Sequence, residues 1–119
     1  MTPDLSAVER WVLEQLADDD HHLANLGWLG GDEYRPEAAI EVLQTLLARG
    51  YVEVRQCYEG DSWSRVLSAD EAEAAVADPS NWLRVRSTRP HWYEGSATQS
   101  GLVALWAPSE RPYRDRYLP

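Results

Sequence analysis

Two groups of side chains in this chain of 119 residues have the types and spacing that coordinate or bind. The first is Asp18-Asp19-Asp20-His21-His22, where hard carboxylate oxygens stand beside imidazole nitrogens, the donor types of a divalent-cation site. Adjacency is not coordination. Neighbouring side chains splay apart and no second ligand set recurs at helical or hairpin spacing, so the run reads as the polar end of a helix. The second group is cationic and aromatic: Trp82, Arg84, Arg86 and Arg89, with Arg111, Tyr113, Arg114, Arg116 and Tyr117 further on. If the last stretch folds back beside the first, they form one Arg/Trp/Tyr surface of the kind enriched at binding hot spots. The alternative is internal, with the arginines pairing against the acidic remainder of the chain.

Catalytic groupings are harder to find. His91 stands beside Trp92 and Tyr93 with no paired nucleophile, and reads as a strand residue at an apolar edge. Cys57 is the only cysteine, which excludes an intramolecular disulfide and a multi-thiolate zinc site. With no His or Lys near it in sequence to lower its pKa, it reads as a small apolar strand residue. No GxSxG, phosphate-binding loop, dinucleotide fingerprint or HExxH motif occurs. The expectation is a non-enzyme with no catalytic residues, no cofactor and no metal.

Composition bounds the rest. A chain this long forms one core, and six Trp with six Tyr supply large burial units in the absence of Phe. No apolar run approaches the roughly 20 residues of a membrane helix, and no basic-then-apolar leader opens the chain, so the expected setting is cytoplasmic with no membrane partner. The formal net charge of −9 is unevenly spread: residues 1–79 hold 17 acidic and 5 basic side chains, residues 80–119 hold 3 and 6. Long-range repulsion disfavours nucleic acid as a partner, although a local basic stripe can still grip phosphate.

The elements that would position these groups follow from periodicity and capping. Thr2-Pro3-Asp4 suits a helix start, and Leu5, Val8, Val12 and Leu16 carry a helical stripe to about Ala17; Ser6-x-x-Glu9 is a competing capping box one turn later. From His21 to Gly31 a short second helix fits, with Leu23, Leu26, Trp28 and Leu29 as a brief apolar face before Gly30-Gly31 break it. Pro36 starts a third, with Ala39, Ile40, Leu43, Leu46 and Leu47 on one side, ending at Arg49-Gly50. Tyr51 to Cys57 alternates as a strand, Glu59-Gly60-Asp61 turns it, and Ser62 to Leu67 returns. Ser68-x-x-Glu71 opens a fourth helix that Asp78-Pro79 ends. Trp82 to Ser87 alternates again, with Leu83 and Val85 inward and Trp82, Arg84 and Arg86 outward. His91-Trp92-Tyr93 is a further short strand, and Thr98 caps a last short helix. The domain spans 1–107, and 108–119 reads as an irregular Arg/Tyr/Pro-rich tail.

The order of helix, short helix, longer helix, Gly and strand hairpin resembles the winged-helix (winged helix-turn-helix) family, small bacterial members included. The join Leu46-Leu47-Ala48-Arg49-Gly50-Tyr51-Val52-Glu53-Val54 is similar to that family's passage from third helix into wing. Thr98-Gln99-Ser100-Gly101-Leu102 is similar to the Thr-x-x-Gly step that follows its last strand. The fold class implied is α+β: a winged-helix-like three-helix core with a small antiparallel sheet, an inserted helix after the first hairpin and a short C-terminal helix.

In that family the third helix enters the major groove and the wing touches backbone or minor groove. Here the outward positions of the third helix are Glu37, Glu41, Gln44 and Thr45, with Arg35 and Arg49 only at its ends. Of these, Gln44 alone is a ready base reader, and two carboxylates repel phosphate. The leading expectation is therefore a protein-interaction module, binding an unidentified protein through the acidic helical face or through Trp82, Arg84, Arg86, Arg89, Tyr113, Arg114 and Tyr117. The second reading is a DNA-binding regulator that uses the Arg84/Arg86 strand and the third helix, as a homodimer joining two half-sites, and the third is an enzyme of unknown class.

Overall fold

Ser6 decides where the first helix begins. Its hydroxyl accepts from the Glu9 amide at 3.1 Å and the Glu9 carboxylate accepts from the Ser6 amide at 2.8 Å, so α1 runs Ala7–Asp18. The start expected near Pro3 gives way to the capping box, because two backbone donors are satisfied there at once. The computed structural model describes residues 5–29, 31–58, 64–82 and 91–106.

After α1, the segment read as a short helix opens with two residues of strand, β1 (His21–His22), before α2 (Leu23–Leu26). Two residues carry no alternation, so nothing in the sequence separates this strand from its flanks. From α2 the chain turns through Trp28 and Tyr34, whose rings meet edge-on at 5.2 Å, and the Tyr34 hydroxyl donates to the Trp82 carbonyl. α3 (Pro36–Ala48) follows, with Pro at its first position as expected. It ends in a Schellman pattern, Gly50 N to Leu47 O and Tyr51 N to Leu46 O, both 3.0 Å. Gly50 has φ +74°, the left-handed conformation that this cap demands.

β2 (Val52–Tyr58) and β3 (Ser64–Val66) pair antiparallel as the hairpin, and α4 (Ala69–Ala77) starts at the Ser68/Glu71 capping box. A 3-10 turn then covers Pro79–Trp82, where a strand was expected from Trp82 onward; the rest of that expected strand lies outside the described residues. The outward role given to Trp82 is overturned. Its side chain is 1% exposed, and the indole donates to the Val76 carbonyl at 2.9 Å. The Asp78-Pro79 break turns the chain back on α4, and a ring of this size is worth more in the core than on an exposed strand face.

β4 (His91–Ala97) is longer than the three residues read for it and pairs with both β1 and β2, giving the sheet order β1-β4-β2-β3, all antiparallel. Val52 and Val54 lie opposite Ala97 and Gly95, and the Gly95 position meets Leu16 and Leu26, so this face of the sheet carries the core. Leu13, Leu16, Leu23, Leu26, Leu43, Leu46, Val54, Val76, Trp82 and Leu105 form one buried cluster. α5 (Gln99–Leu105) completes the chain of elements. Among the described residues, five α-helices and a four-stranded antiparallel sheet make an α+β arrangement compatible with a small winged-helix-like fold, with β3 and α4 inserted between two strands that are neighbours in the sheet. No helix among the described residues is long and apolar enough to cross a membrane.

The two sequence motifs behind the winged-helix resemblance touch each other. The Thr98 hydroxyl donates to the Gly50 carbonyl at 2.6 Å and accepts from the Gly101 amide at 3.1 Å, while the Thr98 amide donates to the Tyr51 carbonyl at 3.0 Å. The cap of α5 is thus docked on the exit of α3. A local signal in each motif is explained by one tertiary contact.

Candidate interaction surface

Once Ala39, Leu43 and Leu46 point into the core, the period of 3.6 residues forces Glu37, Glu41, Thr45 and Ala48 to the outside of α3. All four are exposed, and Gln44 sits half-buried at the flank. The Thr45 hydroxyl donates back to the Glu41 carbonyl at 3.1 Å, which leaves two carboxylates as the charged groups of the stripe. Glu37 and Glu41 are placed where the sequence put them, and Gln44 is less available than expected.

The basic ends do not offset this charge equally. Arg35 is exposed at the N-terminal end. Arg49 instead reaches 3.6 Å to the second oxygen of Glu9, a mostly buried carboxylate whose first oxygen serves the α1 cap. That pairing draws the guanidinium towards α1.

Sequence reasoning missed what stands beside α3. α4 packs directly against it, and Ala72, Ala75 and Val76 join Ala39, Leu43 and Leu46 in the same cluster. Small side chains on α4 allow the close approach. The exposed side of α4 adds Asp70 and Glu73. The signal was present as alanine at positions 72 and 75, but an alanine face does not say which neighbour it meets.

Arg65, the cation of β3, is held by Glu71 through two contacts of 3.2 Å and by the Gln56 side chain at 3.1 Å. The Arg65 guanidinium, with the Ser68 amide and hydroxyl, pulls the Glu71 carboxyl down to about 2. Arg84, Arg86, Arg89, Tyr113, Arg114 and Tyr117 lie outside the described residues.

The opposite face of the sheet carries Glu53, Arg55 and Cys57 of β2 against Ser96, Glu94 and Trp92 of β4. The Trp92 indole donates to Glu94 at 2.7 Å and the Ser96 hydroxyl to Asp20 at 2.7 Å. Burial pushes the Cys57 thiol up to about 11, with the Glu94 and Asp20 carboxylates adding to the effect and Arg55 opposing it. A thiol held protonated is a poor nucleophile. At about pH 8, well under that value, alkylation of Cys57 by iodoacetamide should run far slower in the folded protein than in denaturant. The folded pKa is raised, so this group's contribution to stability is complete below the unfolded value of about 9 and disappears as pH climbs towards 11. A Cys57→Ala variant, compared with the parent by thermal melting across that range, should lack this alkaline loss; parallel curves would refute the assignment.

No family model matches this chain, and neither a curated protein nor a solved structure does.

Proposed function

We propose that this chain is a non-enzymatic protein-interaction module that presents the outer face of α3 to a partner. The observation that carries the reading is the charge of that face: Glu37 and Glu41 are exposed, and the nearest guanidinium at its C-terminal end is drawn to Glu9. A helix that reads a base edge needs donors aimed at guanine or adenine and cations for phosphate. This one offers carboxylates. α4, packed on α3, adds the exposed carboxylates Asp70 and Glu73 on its own outer side.

The second reading is a DNA-binding regulator that uses the Arg84/Arg86 strand and α3, favoured by the winged-helix-like order of elements. Fold alone does not carry function. Anisotropy of labelled random duplex DNA, titrated from low salt to about 0.15 M, separates the two. The module reading expects no binding at the upper salt. Steeply salt-dependent binding that persists there would transfer the assignment to DNA. In parallel, a Glu37→Arg/Glu41→Arg variant, which changes only exposed side chains, should lose the protein partner recovered by the parent chain from native extract. Equal recovery by both would remove α3 from the interface.

A further inference from the structure

We propose that His22 is a proton-operated latch between α2 and β4: as the neutral ring it caps α2 through Ala24, and as imidazolium it leaves that bond for the carboxylate of Glu94. The cap is explicit, since His22 Nδ1 accepts from the Ala24 amide at 3.1 Å. A ring nitrogen that accepts carries no proton, so the proton of the neutral ring is on Nε2. The next proton therefore arrives at Nδ1, where it faces another donor. The bond to Ala24 and the charged ring exclude each other.

The second partner is fixed in place. His22 and Glu94 are directly opposite in the β1–β4 register, and side chains so paired have Cβ atoms about 5 Å apart on one face of the sheet. Glu94 is itself oriented by the Trp92 indole at 2.7 Å. Of the other groups on this face, β2 supplies Glu53, Arg55 and Cys57, and the segment leading into β1 supplies Asp20, which accepts from the Ser96 hydroxyl; His21, opposite Gly95, belongs to the core face, and α2 has no titratable side chain. One ring thus stands between a backbone donor that suits its neutral form and a carboxylate that suits its charged form, which is the arrangement of a two-state element.

The direction is set by burial, which holds His22 below its usual value, with Glu94 pulling the other way. A base whose folded pKa is depressed gives stability that is complete above the unfolded value of 6.5 and is lost as pH falls below it. The switch therefore opens on acidification. What it loosens is the entry to α3, because α2 contributes Leu23 and Leu26 to the core and leads into the Trp28/Tyr34 turn.

Amide exchange of Ala24, normalised to its intrinsic rate, and the side-chain nitrogen shifts of His22 test this between about pH 7.5 and about pH 5. Ala24 protection should drop about fivefold, the fold-change of a lost cap, with the same midpoint as the His22 ring. His22→Asn keeps an acceptor without a titrating group, so Ala24 should stay protected and the step should vanish. Glu94→Gln removes the pull on the imidazolium and should move the midpoint to lower pH. Constant Ala24 protection through the His22 titration, a step that survives His22→Asn, or a midpoint unmoved by Glu94→Gln would each overturn the latch.

Discussion

Replacing Trp82 with alanine is expected to remove about 3–5 kcal/mol, the range for a large buried ring cut back to a methyl group. Trp82 is 1% exposed within the cluster shared by α2, α3 and α4, and nothing smaller fills that volume. The loss is compounded at the Val76 carbonyl, which accepts from the indole at 2.9 Å and would be left buried without its donor. Urea unfolding followed by circular dichroism measures the sum. A Trp82→Phe variant separates the parts, keeping most of the ring packing while losing the donor, and should cost roughly 1–3 kcal/mol. A Trp82→Ala loss under about 1 kcal/mol, the size of an ordinary surface change, would mean that the residue faces solvent, as its alternating sequence context suggested.

Gly101→Ala is expected to be as damaging for a different reason. A Cβ built on Gly101 falls on the carbonyl oxygen of Tyr51, and backbone is what it meets, not the end of a flexible side chain. α5 would have to move away from the exit of α3, breaking the Thr98 bonds to Gly50 and Tyr51 that hold the two together. Overpacking of this kind costs about 1–3 kcal/mol by itself, and the two lost hydrogen bonds of Thr98 add about 1 kcal/mol each. Thr98→Ala is the control, since it removes the cap while leaving room, and should cost about 1 kcal/mol. If Gly101→Ala melts no lower than Thr98→Ala, the close approach of α5 to Tyr51 is wrong. The comparison also shows that a helix former placed in a helix can destabilise it, because alanine's intrinsic advantage of about 1 kcal/mol over glycine is smaller than the collision.

Most elements were legible because each carries its own boundary. Pro36 and Gly50 delimit α3, Ser68 with Glu71 opens α4, and Thr98 opens α5, all through local hydrogen bonding or fixed backbone angles. Where the sequence offered two answers, as with Pro3 and Ser6 for α1, local pattern alone could not rank them. Glu37 and Glu41 were legible as a surface for a related reason: the apolar positions of α3 fix its inward face, and the outward face follows. His22 and Glu94 were not, since 72 positions separate them and only strand pairing makes them neighbours.

By itself the sequence determined the order and type of the longer elements and the sign of the charge on α3, because capping, turn chemistry and the helical period act within a few residues of one another. The tertiary structure alone decided that Trp82 lies inside, that α4 stands against α3, that two short motifs far apart in the chain form one joint, and that a histidine at a two-residue strand faces a carboxylate. Those are consequences of which surfaces bury each other. A burial partner is chosen by the shape of the whole core, and no window of neighbouring residues contains it.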